Sequence, residues 1–312
     1  MATRPRASRT RSLVAISALL AWVATVSGGD LIPVYNATVG GRSVVLSYDN
    51  GASLYTGIGR YEGMGTCTAF FLATALPGQE YLTEAPAYAV TSARCAADLG
   101  ADQVVTDRPG VGRIIFNYFK DSPYRRTSVG VVRTTYAATK GRPLAILELE
   151  MLYLELVQQL VRPWRVPYSR PMLEGDLIAV VSAPHWVDDP ADAFLRLATC
   201  RYEGIAPVVV EHPWRTLNAS FNRCRDVMPS SYGSPVLSIV DRTVVGMVNT
   251  TTTSAGDIEK CALGHPCEPV GGGSRTRKNT NYVTSVAGIT ACFDARHRFS
   301  ATQPDCPLDP GQ

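Results

Sequence analysis

No histidine occurs before residue 185; the four in the chain are His185, His212, His265 and His297. Any reaction that draws an imidazole base from the amino-terminal half is thereby excluded. Charge is sparse, at 18% of 312 residues, against 46% hydrophobic, which excludes a disordered chain and a coiled coil. A surplus of one sign is missing too. The formal net charge is +3, but Arg4, Arg6, Arg9 and Arg11 crowd the first eleven residues, and without them 26 basic groups face 27 acidic ones. Such a balance offers no field for polyanions, so nucleic acid is not an expected partner. Beyond Leu13 to Val26, no apolar run approaches the roughly 20 residues that span a bilayer.

What is present begins with that run of about fourteen residues, preceded by the arginines and followed by Ser27, Gly28 and Gly29. It reads as a secretory signal peptide over 1–28 and predicts a secreted protein with no membrane contact after cleavage. The alternative, an uncleaved anchor, needs a longer stretch. Export agrees with an even set of eight cysteines, at 67, 95, 200, 224, 261, 267, 292 and 306. Roughly a hundred connectivities are open to them. Pairing of sequence neighbours (Cys67 with Cys95, Cys200 with Cys224, Cys261 with Cys267, Cys292 with Cys306) is the simplest. The Cys261–Cys267 segment with His265 lacks a fourth ligand at zinc spacing, so neither metal nor cofactor is expected.

Short β-type runs bounded by turn residues dominate: 43–46, 69–72, 87–91, 104–106, 113–119, 128–135, 144–149, 177–181, 208–211, 236–240 and 244–250. One helical pattern, 151–161, stands between two groups of strands, and Pro163, Pro167 and Pro171 mark a linker. The pattern predicts an amino-terminal unit over 29–165 and a carboxy-terminal unit over 166–312. The Gly271–Lys278 stretch lacks phosphate-loop spacing and reads as a solvated surface loop. His185-Trp186 and Glu211-His212-Pro213-Trp214 have no ligand spacing and read as surface or half-buried residues.

Four strings then follow in order: Cys67-Thr-Ala-Phe-Phe-Leu72, Ala87-Tyr-Ala-Val-Thr-Ser-Ala-Arg94-Cys95, Gly141-Arg-Pro143-Leu-Ala-Ile-Leu-Glu-Leu149, and Ser230-Ser-Tyr232-Gly-Ser-Pro-Val236. Together the sequence resembles the trypsin-like serine peptidases, secreted bacterial branch, whose pattern is a cysteine strand, T-x-x-H-C, G-x-D-L-A and G-x-S-G-S-P. The resemblance covers roughly 40–300 and includes Gly40-Gly41. It implies an all-β fold of two antiparallel six-stranded β-barrels of the chymotrypsin type with few short helices.

The resemblance also assigns roles that the residues do not fill. Arg94 stands at the histidine position, and a guanidinium with pKa above about 12 accepts no proton. Pro143 stands at the aspartate position. Tyr232 stands at the nucleophile, its phenol near pKa ~10 and its ring in the space of a scissile carbonyl. Ser230, Ser231 and Gly233 form the equivalent of the oxyanion loop. Ser230 replaces a glycine, and Ser230, Ser231 and Ser234 read as turn hydroxyls. A serine without a base is an ordinary alcohol.

Two arrangements of Arg94 stay open: stacking on or hydrogen bonding to Tyr232 as a plug, or turning outward to an acid. Asp226, six residues before Tyr232, matches in offset the acid that selects basic side chains in trypsin. Val244 to Asn249, with Val248 and Asn249, is the candidate edge for an added peptide strand. The leading expectation is a secreted, monomeric, catalytically inactive peptidase homologue that binds an extracellular protein or peptide. An enzyme using other groups on the same scaffold and a structural extracellular β protein are the alternatives.

Overall fold

Where the sequence shows short unbroken apolar runs, the chain forms strands buried on both faces, and period-two alternation divides each strand between two cores. In the run Leu177–Ser182, Ile178 and Val180 enter one cluster while Ala179 and Val181 enter another. Across Thr66–Phe71, Cys67, Ala69 and Phe71 face inward and Phe70 faces the other way. These observations come from a computed structural model that describes residues 37–74, 84–167, 172–185, 193–253 and 261–308. The 1–28 segment read as a signal peptide and Trp186 lie outside the described residues.

The strands are β1 (Val44–Val45), β2 (Ile58–Glu62), β3 (Thr66–Phe71), β4 (Pro86–Thr91), β5 (Val104–Pro109), β6 (Arg113–Phe116), β7 (Thr127–Ala138), β8 (Ala145–Leu152), β9 (Leu177–Ser182), β10 (Arg196–Glu211), β11 (Trp214–Asn222), β12 (Pro235–Ser238), β13 (Val244–Thr251), β14 (Glu268–Val270), β15 (Gly273–Arg275) and β16 (Asn281–Ser285). Two short helices are α1 (Ala93–Ala96) and α2 (Tyr153–Gln158). All ladders between strands are antiparallel.

The order β7-β6-β2-β3-β4-β8 closes on itself through β7–β8, and β10-β11-β16-β13-β12-β9 closes through β10–β9. Two rings of six strands result, as the resemblance implies, and closure leaves neither with a free pair of long edges. The interior of the first ring holds Phe71, Phe116, Leu147 and Leu149. Ile178, Val180, Val236 and Val283 fill the second. Between them lies a shared core in which Ile58, Phe70 and Ile146 meet Val181, Leu237 and Met247.

The chain ends cross over. β1, from the amino-terminal half, pairs with β10 of the second ring. The carboxy-terminal tail, closed by Cys292–Cys306, returns to the first ring, with Phe293 5.1 Å from Tyr88 and Phe299 5.9 Å from Tyr136, ring centre to ring centre.

Several sequence expectations are corrected. The helix expected over 151–161 is shorter, because β8 continues through Leu152, which pairs with Pro86; the helix starts at Tyr153, where Glu155 accepts the Leu152 N–H. The Gly271–Lys278 stretch is not a bare loop. It carries the second arm of the β14–β15 hairpin, and Arg275 and Arg277 turn inward onto buried Glu268. β13 is no edge: β12 and β16 flank it on both sides, and Val248 and Asn249 are buried. No strand can add there. The cysteine expectation stands: all eight pair with their sequence neighbours.

Candidate functional site

The site lies where the ends of the two rings face each other. β4 delivers the chain into the single turn α1, and the Cys67–Cys95 disulfide ties that turn to β3, fixing Arg94 beside it. From the second ring, β10 and β11 meet at a two-residue turn that sets Glu211 directly opposite Trp214. Directly paired cross-strand residues share a face, and here both reach Arg94. The Arg94 Nη1 and Nη2 donate to Glu211 Oε1 and Oε2 at 3.1 and 2.7 Å. The guanidinium carbon sits 4.4 Å from the Trp214 ring centre and 4.3 Å from that of Tyr232.

Both side chains of the ion pair are nearly dry, 9% exposed for Arg94 and 4% for Glu211. A buried pair of this kind is tolerated because the fork is bidentate and the cation lies within cation–π distance of two aromatic rings. Glu211 Oε1 also accepts Gly264 N–H at 2.7 Å, from the loop closed by Cys261–Cys267. The Trp214 indole donates to the Leu99 carbonyl at 3.0 Å, locking the ring. Of the two arrangements left open for Arg94, the stack on Tyr232 is realised; Arg94 also binds an acid, but a buried one, and does not turn outward.

The Tyr232 loop is clamped by the first ring. Thr68 N–H donates to the Tyr232 carbonyl at 2.9 Å, and Gly233 N–H donates to the Val248 carbonyl at 2.8 Å. Gly233 has φ +85, and a Cβ there would collide with the Thr68 carbonyl and Thr91 Oγ1. Only glycine fits. Burial pushes the Tyr232 phenol above its usual value, with Arg94 drawing it partly back. The N–H groups of Ser231 and Tyr232 donate within the turn, to the carbonyls of Met228 (2.8 Å) and Pro229 (3.3 Å). The amide that would face an oxyanion at Tyr232 is therefore turned inward.

Of the flanking hydroxyls, Ser230 Oγ accepts His185 N–H and Ser231 Oγ accepts Met228 N–H, both at 3.2 Å. Ser234 Oγ is buried and has no partner, unlike the turn hydroxyl expected. Pro143 is buried just ahead of Ala145, which pairs with Thr91, so the register brings it to the same end of the ring as α1. It does not line the cleft. Asp226 is elsewhere: its carboxylate accepts Ser43 N–H and Oγ–H, and it does not line the cleft either. The Asn249 side chain bridges the rings, accepting from Ser92 Oγ at 3.0 Å and donating to Thr216 Oγ1 at 3.3 Å.

Around the ion pair is a cleft of about 660 Å³. Arg94, Trp214 and Tyr232 form part of its lining, with His185, Met64, Met228, Pro229 and Leu263 around them. Glu211 and Trp214, read from the sequence as surface or half-buried, are central to the site, and Glu211 is 3% exposed.

No family model matches the chain, and no curated protein matches it. Among solved structures, it is similar to a thermostable serine protease, AL20, from an extremophilic microorganism, 10% identical over 75% of this chain and 93% of that one, TM-score 0.47. It is similar to the inactive form of the Rv3671c protease, 14% identical over 75% and 86%, TM-score 0.43. A mutant of human heparin binding protein (CAP37) is 14% identical over 81% and 93%, TM-score 0.48. The fold is read from the chain's own topology: two closed six-stranded antiparallel rings facing each other across a cleft are the chymotrypsin-type arrangement that the resemblance implies.

Proposed function

We propose that this chain is a secreted, monomeric protein of the chymotrypsin-type fold that cleaves nothing and acts by binding an extracellular protein or peptide at its inter-ring cleft. One observation carries the reading: the guanidinium of Arg94, forked on Glu211 and sandwiched between Trp214 and Tyr232, occupies the place where the resemblance puts the general base. A cation so held neither accepts a proton nor leaves room for a nucleophile to be deprotonated. The inward Tyr232 amide supports the same conclusion, because acyl transfer also needs donors aimed at the developing oxyanion. Four disulfides fit an oxidising compartment.

What remains is a binding surface. The exposed Met64 and Leu263, at 54% and 59%, line the cleft with Trp214 and Met228, a surface suited to an apolar side chain of a partner. Incubation with a fluorophosphonate probe tests inactivity: no serine is labelled. Stoichiometric labelling, or polypeptide hydrolysis abolished by replacing a serine, overturns it. Affinity capture from extracellular fluid tests the rest. A partner retained by the intact protein and lost on Leu263→Asp supports a binding role, whereas no partner, or one indifferent to that change, rejects the cleft as the binding site.

A further inference from the structure

Arg94 has a counterpart on the first ring. Arg125 also lies between two rings, its guanidinium carbon 4.5 Å from the centre of Tyr48 and 5.3 Å from that of Tyr124. The difference is the missing acid. Among the described residues no carboxylate is in ion-pair contact with Arg125, the exposed Asp49 acting on it only at longer range; its Nε, like that of Arg94, is buried without a hydrogen-bond partner. The nearby carboxylate of Asp121 is committed to Ser47 Oγ–H and to the N–H groups of Tyr48 and Asp49. Arg126, next in the chain, rests on Tyr118 and Phe194 at 4.8 and 5.4 Å and also lacks an acid among the described residues.

These groups border a pocket of about 340 Å³, lined by Tyr48, Asn117, Tyr124, Arg125, Gln158 and Gln159 among others. Asn117 is 2% exposed, yet its Oδ1 is buried with no hydrogen-bond partner. Tyr124 presents a ring that is 72% exposed.

The pocket therefore specifies its complement. A guanidinium held between rings and without an ion-pair partner selects a planar carboxylate, the group that Glu211 supplies to Arg94. The amides of Gln158 and Gln159 in the lining both donate and accept, which a hydroxyl satisfies in either direction. The open face of Tyr124 suits the C–H face of a saturated ring. We propose that this pocket binds a sugar acid, that is, a saccharide ring bearing a carboxylate and several hydroxyls.

Calorimetric titration of the intact protein with D-galacturonate tests it. The ligand binds, while galactose, acetate and N-acetylglycine bind at least about tenfold more weakly, since each lacks the charge or the hydroxyls. Arg125→Gln weakens galacturonate about tenfold or more, and Tyr124→Ala, on an exposed ring that can be removed without loss of fold, weakens it several-fold. Replacing the exposed Arg215 by glutamine leaves it unchanged. Absence of galacturonate binding, equal binding of acetate or N-acetylglycine, or indifference to Tyr124→Ala and Arg125→Gln overturns the proposal.

Discussion

Asp226 accepts the backbone N–H of Ser43 at 2.8 Å and its hydroxyl at 3.1 Å. Arg196 adds a hydrogen bond from Nε to Ser43 Oγ at 2.8 Å. The acid that the resemblance offered as a selector of basic side chains is thus a fastener for the amino-terminal segment. Asp226→Ala is expected to cost about 1.5–3 kcal/mol, the range for hydrogen bonds to a charged group. Denaturant unfolding measures the loss. Any preference of the protein for Lys- or Arg-containing peptides should be unaltered by the same change.

Removing Glu211 strands a charge. Glu211→Ala leaves Arg94 buried between two rings with no anion, and the expected loss is about 3–5 kcal/mol. Replacing the pair together, Arg94→Met with Glu211→Leu, should come within about 1 kcal/mol of the parent or exceed it, because neither charge then has to be desolvated. A double-mutant cycle in urea reads the coupling directly.

Rebuilding the triad alone should fail. With Arg94→His, Pro143→Asp and Tyr232→Ser combined, the amide at 232 still donates to the Pro229 carbonyl, and Glu211 still faces the new imidazole from the opposite ring. No amidolytic rate above that of the parent is expected with a chromogenic peptide. A clear rise would show that the Pro229–Ser231 turn relaxes once the tyrosine is gone.

Gly233 is a close contact between the rings. Gly233→Ala places a methyl group against the Thr68 carbonyl and Thr91 Oγ1 at a positive φ, and should destabilise by about 2–5 kcal/mol. The melting temperature checks this. Gly141→Ala, also at positive φ but with open space around it, should cost less, about 1 kcal/mol.

Glu268 should contribute to acid sensitivity. Burial alone would raise its carboxyl, but hydrogen bonds from Arg277, Arg275 and Tyr282 hold it below the usual value. A carboxyl depressed in the folded state stabilises at pH above its unfolded value, about 4.5, and loses that contribution as pH falls through the lower folded value. Glu268→Gln should therefore be less stable than the parent near neutrality, by about 1–3 kcal/mol. The gap should narrow as unfolding is measured from pH ~5 toward pH ~2.

The sequence made the barrel strands legible because their two faces are both buried, giving short apolar runs between turn residues. It also gave Arg94, Pro143 and Tyr232 as departures from one template. It concealed β2, β16 and β11; in β11, Trp214–Asn222, Arg215, Leu217 and Asn218 are exposed, so no apolar run announces it. Missing β11 meant missing the turn that opposes Glu211 to Trp214, and hence the acid that Arg94 finds. Long-range partners escaped for the same reason. Nothing local in Asp226 reports that Ser43, 183 residues away, will occupy it, and nothing in Val244–Thr251 reports that β12 and β16 will flank it.

The crossed chain ends make each ring a custodian of the other. β1 leaves with the second ring if the two part company, and Phe293 and Phe299 must be pulled off Tyr88 and Tyr136 at the same moment. Neither half can open first without stripping a piece from its neighbour. The molecule is consequently expected to melt as one cooperative unit, and a nick in the inter-ring linker to leave two fragments that hold together until both ends let go.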